Sequence, residues 1–265
     1  MYTIKKKFMV DLAHIVPTQQ FFNPKYECKC RNIHGHTFTI IPIVKAKKLD
    51  KNTRMVIDYT LFKPFKDVLD KFFDHKFIIS DRIPNYEKVV DLINQVKSIC
   101  NGNEGRYSKA MITYKSITLD KILLTNIDNV TIVHWDSTTA EDMSHFLQYI
   151  LADELIKTFE IRQEISISVA VKETPNSFAV YNKPYTIVPS IRLALRRINR
   201  LPEKEKIYVI INNFIPYVKR NNNLYPYVKD IIDKIELLRK KHSNQKHISI
   251  LVDRLLNEIN MLKIT

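Results

Sequence analysis

Apolar residues recur along this chain with two periods. Between residues 164 and 173 they alternate strictly. Ile165, Ile167, Val169 and Val171 fall on one face and Ser166, Ser168, Ala170 and Lys172 on the other, the period-two pattern of a strand. By the same parity Glu173 falls on the apolar face at the strand's end. A carboxylate there is either at the sheet edge in water or a buried anchor for a ligand's donor groups. Residues 3–13 read as a strand that ends at His14. A polar, irregular stretch follows through Pro17, Asn23, Pro24 and Lys25. Residues 34–46, HGHTFTIIPIVKA, are rich in Thr, Ile, Phe and Val and suit a second strand.

The helical period appears elsewhere. Residues 60–73 place Leu61, Phe62, Phe65, Val68, Leu69, Phe72 and Phe73 at helical spacing, with Pro64 in the first turn, where it is tolerated. That helix ends at Asp74-His75. A second helix is expected to begin at Thr138-Thr139-Ala140-Glu141, a Thr-x-x-Glu capping box, followed by Met143, Phe146, Leu147, Ile150 and Leu151. Residues 87–135 read as an insertion: a helix near 87–100, a turn at Asn101-Gly102, then short β-like runs. Residues 186–265 read as a tail with three helices, near 189–200, 228–241 and 247–262. A Tyr/Ile/Asn-rich segment separates the first two.

Composition narrows the classes. With 45% hydrophobic residues the chain is not disordered, and no run of apolar residues is long enough to span a membrane. The start, MYTIKKKFMVDLAH, lacks the apolar run and cleavage site of a secretory signal. Three cysteines, Cys28, Cys30 and Cys100, argue against a disulfide framework and for a reducing compartment, the cytoplasm. Only three glycines occur, and Gly35 sits between His34 and His36. Net charge is +14. Residues 186–265 carry 16 Lys/Arg against 7 Asp/Glu, or +9. Such an excess either meets a polyanion such as nucleic acid, with Tyr208, Tyr217, Tyr225 and Tyr227 interleaved, or keeps a helical surface in solution.

The chemistry-bearing residues concentrate in the first strands. His34 and His36 are two apart, so on a strand both imidazoles project from one face. His-x-His presents two nitrogens to one metal, and His14, on a neighbouring strand, could supply a third. Three histidines with one open position make a catalytic zinc arrangement, able to polarise substrate oxygens. Cys30, four residues before His34, is either a thiolate base or nucleophile beside that metal or an ordinary loop cysteine. Asp74-His75 is either a carboxylate–imidazole proton relay or a solvated helix terminus. His134, His145, His242 and His247 show no partner pattern and read as ordinary, as does Cys100.

Taken together, Asp11-Leu12-Ala13-His14, Cys30-Arg31-Asn32-Ile33-His34-Gly35-His36-Thr37-Phe38, Met55-Val56-Ile57-Asp58-Tyr59, Asp74-His75, Thr138-Thr139-Ala140-Glu141 and Val171-Lys172-Glu173-Thr174 resemble the 6-pyruvoyltetrahydropterin synthase / 6-carboxytetrahydropterin synthase family. The motifs come in the family's order and cover residues 1–86 and 136–185. The resemblance implies an α+β tunnelling fold (T-fold), an antiparallel four-stranded sheet with two helices on one face. To it this chain adds the insertion at 87–135 and a helical extension at 186–265. Three subunits of the family close their sheets into a barrel, and two rings stack into a homohexamer with active sites between subunits.

The resemblance also implies Zn2+ on His14, His34 and His36, and 7,8-dihydroneopterin triphosphate as substrate. Cys30 takes a proton from the substrate's side chain, and the Asp74–His75 pair moves a second. Glu173 matches the glutamate that anchors the pterin ring, the buried-anchor alternative above. Thr138 and Thr139 match the segment lining the pterin pocket. Cys-x3-His-Gly-His resembles the 6-carboxytetrahydropterin synthases of the queuosine and 7-deazaguanine pathways. Cys-x5-His-Gly-His resembles the pyruvoyl enzymes of the biopterin pathway. Cys30 has the first spacing and Cys28 the second; the residues flanking Cys30, and Asp74–Pro84, look like the carboxy type. The family's Phe-x-Ala-Ala-His is here Val10-Asp11-Leu12-Ala13-His14, and the glycine before its Met-Val segment is Arg54. A reading from another class makes the protein a T-fold module that binds nucleic acid or a partner through its basic extension.

Overall fold

A computed structural model of the chain describes residues 1–21, 23–100, 102, 111–220, 225–240 and 245–261. Asn101, Gly105, His242 and the side chains of Tyr225 and Tyr227 lie outside the described set. The chain forms two compact units, residues 1–154 with 163–187, and residues 155–162 with 188–265.

The first unit is built on one sheet. β1 (Tyr2–Lys5) and β2 (Phe8–His14) form one row, and β3 (His34–Ala46) pairs antiparallel with both. The single strand expected over 3–13 breaks at Lys6-Lys7 because its partner there is Pro42, which has no N–H to give the ladder. Lys6 N still donates to the Pro42 carbonyl at 3.3 Å. β8 (Ile165–Thr174) lies on the other side of β3, and β9 (Ser177–Val180) and β10 (Tyr185–Ile187) both pair with β8. These four antiparallel rows are the sheet that the family resemblance implies.

The sheet does not stop there. β4 (Lys76–Ser80) pairs parallel with β2, and β7 (Val130–Val133) parallel with β4. β6 (Ile122–Ile127) and β5 (Met111–Lys115) continue antiparallel, for ten strands among the described residues. β4, which precedes the insertion, and the insertion's own β5, β6 and β7 therefore widen the four-stranded sheet into a mixed one. Its inner strands explain why: every residue of β7 and four of five in β4 are buried, the run of apolar residues expected of parallel strands covered on both faces.

Two helices cover one face. A 3-10 turn over Tyr59–Phe62 leads into α1 (Lys63–Phe72), which buries Phe65, Val68, Leu69 and Phe72; each such burial contributes about 1.5–3 kcal/mol. Phe65 meets Phe8 of β2 at 6.2 Å between ring centroids. α3 (Ala140–Thr158) shares that face, its Tyr149 ring against Tyr185 of β10 at 5.6 Å. The insertion's α2 (Tyr86–Cys100) covers the reverse face, where Val90 joins Phe77, Ile79, Val130 and Ile132 in a buried cluster.

The start of α3 corrects the capping box by one position. Thr139, not Thr138, caps the helix: its carbonyl accepts from Met143 N at 3.0 Å and its hydroxyl from Asp142 N at 3.4 Å. Thr138 is engaged elsewhere, as described below.

The second unit is helical. It comprises α4 (Ile191–Ile198), α5 (Glu203–Val209), a π-helical turn over Ile210–Phe214, α6 (Ile215–Arg220), α7 (Tyr225–Lys240) and α8 (Gln245–Met261). The Tyr/Ile/Asn-rich segment, expected to separate helices, is itself helical. Pro216 cannot donate an N–H to a helix ladder, and the wider π turn precedes it. α7 and α8 bury Val228, Ile232, Ile235, Val252, Leu255 and Ile259, so the tail's apolar spacing serves packing. Several of its basic residues are spent on carboxylates: Lys206 on Asp253 at 2.6 Å, Lys219 on Glu236 at 2.7 Å and Arg220 on Glu160 at 2.8 Å. Among the described residues, no helix is long and apolar enough to cross a membrane.

Candidate metal centre

The ladder between β2 and β3 builds the site. His14 closes β2, His34 opens β3, and the two are direct cross-strand partners, while His36 faces Leu12. All three imidazoles therefore emerge on the face that carries α1 and α3. Their ring centroids lie 4.4 Å (His14–His34), 5.1 Å (His34–His36) and 5.8 Å (His14–His36) apart. Phe38, fully buried, stands edge-on beneath His14 and His36 at 5.4 and 5.7 Å. Gly35 lets the strands close up here, since a Cβ at that position would lie 3.3 Å from the Leu12 carbonyl oxygen.

Hydrogen bonds determine which nitrogens face inward. His14 Nδ1 lies 2.9 Å from the Thr138 carbonyl oxygen and His34 Nδ1 2.7 Å from the Asn32 carbonyl oxygen. A carbonyl only accepts, so both Nδ1 atoms carry the proton. That leaves the Nε2 lone pairs, and both Nε2 atoms are buried without a hydrogen-bond partner. An imidazole held by Nδ1–H to a carbonyl, with its other nitrogen bare and buried, is the form in which histidine binds a metal.

Glu173 completes the group: one donor atom from each of His14, His34, His36 and Glu173 lies within 4.8 Å of the others. Glu173 Oε1 is 3.3 Å from His14 Nε2 and 3.5 Å from His36 Nε2. In the metal-free site a second proton on His14, at Nε2, hydrogen-bonds Glu173 and holds that carboxyl below its ordinary range against the opposing effect of burial, with the charges of His14, His36 and His34 adding to it. Burial lowers the pKa of His36, as do His14 and His34, against the opposing pull of Glu173. Lone pairs and an anion thus converge on one point, and the donor set of three imidazoles and a carboxylate suits zinc there.

The remaining sequence candidates fall into two groups. Cys30 is tied down close to the histidines: its N–H donates to Gln19 Oε1 at 2.9 Å and its carbonyl accepts from Val16 N at 2.8 Å, two residues beyond His14. Cys28 is the N-terminal flank of the 3-10 turn Lys29–Arg31, and its carbonyl accepts from Arg31 N at 3.1 Å within that turn. Thr138, also buried, donates its hydroxyl to the Ile15 carbonyl at 2.8 Å while its own carbonyl holds His14.

The Asp74–His75 pair is formed but sits elsewhere in the same chain. His75 Nδ1 is 3.0 Å from Asp74 Oδ2. Asp74 Oδ1 accepts from Asp11 N at 3.1 Å, and His75 N donates to the Asp11 carbonyl at 2.7 Å. His75 takes a left-handed backbone, φ 55°, and its side chain is 77% exposed. Asp11 lies three residues before His14, roughly 10 Å along a strand.

Two arrangements escaped the sequence reading. His134 is not isolated: its Nδ1 lies 2.8 Å from Asp81 Oδ2 and its Nε2 2.7 Å from Thr125 Oγ1. Asp81 and His134 directly follow β4 and β7, and Thr125 lies within β6, and nothing in their spacing announces the arrangement. The His145 ring lies tilted against Tyr181, centroids 4.0 Å apart, beside a cleft of about 450 Å³ lined by Glu141, Ser144, Tyr181, Asn182 and Lys183.

Residues 3–184 match the family described as 6-pyruvoyl tetrahydropterin synthase. A 6-carboxy-5,6,7,8-tetrahydropterin synthase of Synechocystis is 32% identical over 82 residues, which are 29% of this chain; the match spans 58% of that enzyme's length. A crystal structure of an uncharacterized protein of Wolinella succinogenes is similar at 21% identity and TM-score 0.48, over 69% of this chain and 98% of the other. The 6-pyruvoyl tetrahydropterin synthase of Plasmodium falciparum is similar at 16% identity and TM-score 0.40, over 69% and 99%.

Proposed function

The chain belongs to the 6-pyruvoyl tetrahydropterin synthase family, and on that premise we propose that it converts 7,8-dihydroneopterin triphosphate and one water to 6-carboxy-5,6,7,8-tetrahydropterin, triphosphate and acetaldehyde. The observation that carries the reading is the convergence of His14, His34 and His36, with two of the Nε2 atoms bare, buried and unpartnered. The three imidazoles would hold Zn2+, which when bound supplies a Lewis acid for the substrate's side-chain oxygens.

The chain's own residues do the rest. Cys30, fixed through Gln19 and Val16, is the base that takes a proton from the substrate's side chain. Glu173 accepts hydrogen bonds from the pterin ring's N–H and amino donors, with Thr138 and Thr139 lining that pocket. The Asp74–His75 pair moves the second proton. Because that pair docks at Asp11 in its own chain, a neighbouring copy is its route to the metal centre, in a homo-oligomer, trimer or hexamer, with sites between subunits. The cysteine spacing and the firmer anchorage of Cys30 favour the carboxy branch over the pyruvoyl branch.

The test is to incubate zinc-loaded protein with dihydroneopterin triphosphate and identify the pterin by mass. A carboxy-pterin with acetaldehyde supports the reading. A pyruvoyl product assigns the chain to the biopterin branch, and unchanged substrate overturns both.

A further inference from the structure

The convergent group has four members, and the fourth is the residue just proposed to anchor the pterin. Glu173 Oε1 stands 3.3 Å from His14 Nε2 and 3.5 Å from His36 Nε2. Donors bound to a tetrahedral zinc at about 2.0–2.1 Å lie about 3.3–3.4 Å from one another. The first separation matches that of two ligands on one ion and the second exceeds it slightly. With its Nδ1 proton facing the Thr138 carbonyl oxygen, a neutral His14 turns the Nε2 lone pair toward the Glu173 carboxylate. A metal ion between that lone pair and the carboxylate would satisfy both.

The backbone at Glu173 supplies a second, independent observation. β8 and β9 pair at Lys172↔Phe178 and next at Thr174↔Ser177, with the register shifting between. Two steps on β8 match one on β9, so Glu173 is the extra residue of a β-bulge. A bulge releases its residue from the ladder and re-aims its side chain. Glu173 is also only partly buried, its side chain 28% exposed, so it has room to turn.

We infer that Glu173 is the fourth ligand of the metal in the substrate-free protein, and that pterin binding withdraws this carboxylate to the ring donors and so opens the coordination position. This rests on the proposed function. The resting site would be closed by four protein ligands, and it becomes an open, catalytic one only when a pterin is present. One carboxylate cannot serve the ion and the ring at once. By linkage, a pterin without side-chain hydroxyls binds the metal-loaded protein more weakly than the metal-free one, and loosens the metal by the same factor.

The experiment uses the full chain loaded with cobalt(II) in place of zinc, with 6-methylpterin as the probe. It compares wild type with Glu173→Gln by visible ligand-field absorption and by metal titration. The expected result is a shifted ligand-field envelope and about tenfold or greater loss of cobalt affinity in E173Q. Adding 6-methylpterin moves the wild-type envelope toward that of E173Q and leaves the variant unchanged. An infrared difference spectrum of zinc-loaded minus metal-free wild type requires no variant, and should show a carboxylate stretch displaced by zinc and restored by 6-methylpterin. Identical spectra and affinities for wild type and E173Q, or no displaced carboxylate stretch, would overturn this inference while leaving a three-histidine enzyme intact. A 6-methylpterin complex with the wild-type envelope unchanged overturns the exchange. Metal uptake in wild type no greater than in His34→Ala removes the proposed function as well.

Discussion

His14 Nδ1 donates to the carbonyl oxygen of Thr138 at 2.9 Å, across 124 residues of sequence. One bond joins the end of β2 to the entry of α3 and sets the imidazole's tautomer. The Thr138 hydroxyl, donating to Ile15 O, holds the same two segments together one residue further on.

The two halves of this link separate on mutation. In Thr138→Val the main-chain carbonyl still holds His14, but the partly buried Ile15 carbonyl loses its donor. Stability should fall by about 1–3 kcal/mol, read by denaturant unfolding, while zinc affinity stays within about threefold of wild type. A large loss of zinc with little loss of stability would show that the hydroxyl acts on the metal site directly.

Metal and stability are linked through the imidazoles. Zinc bound by the folded chain at about 100 times its Kd adds about 2.7 kcal/mol. A chelator should therefore lower the melting temperature of wild type, and zinc should restore it. His34→Ala should melt at one temperature with or without zinc; a persisting zinc response would place the ion elsewhere.

The two cysteines are told apart by turnover. Cys30→Ala should reduce kcat by about 10²–10⁴-fold, the usual worth of a positioned base. Cys28→Ala should keep nearly full activity, because the Cys28 backbone is not fastened to residues 16 and 19. The reverse outcome would transfer the base to Cys28 and with it the pyruvoyl-type spacing.

Asp142 makes a pH test away from the metal. Burial, followed by the nearby charge of Asp136, raises its carboxyl above 3.8. The folded chain holds this proton more tightly than the unfolded chain, so Asp142 favours folding fully below 3.8 and loses that contribution as pH rises through the folded value. At neutral pH the ionised group is a burden. Asp142→Asn should thus gain on wild type in melting temperature as pH goes from about 3 to about 7; a difference that is flat across that range would refute the burial effect.

Much of the site is legible in the chain because the strand period aligns it. His34 and His36 share a face by parity, and their positions opposite His14 and Leu12 follow once β2 and β3 pair. The cap of α3 is less legible: Thr138 and Thr139 are both capping residues by type, and only the demand of Ile15 O for a donor decides between them. The break of the first strand at Lys6-Lys7 needs knowledge of what lies opposite, since it is Pro42, on β3, that interrupts the ladder. The helix over Glu203–Phe214 hides behind β-branched and Asn residues whose own propensity opposes it.

By itself, then, the sequence determined the local periods, the histidine face, the carboxylate on the apolar side of β8, and the motif order that marks the family. Those follow from parity and short spacing. The widened sheet, the seat of Asp74–His75 on Asp11, the Asp81–His134–Thr125 chain and the approach of Glu173 to two imidazoles were decided by tertiary structure. Each depends on which distant strands come side by side and in what register, and a shift of one residue would turn every side chain to the other face.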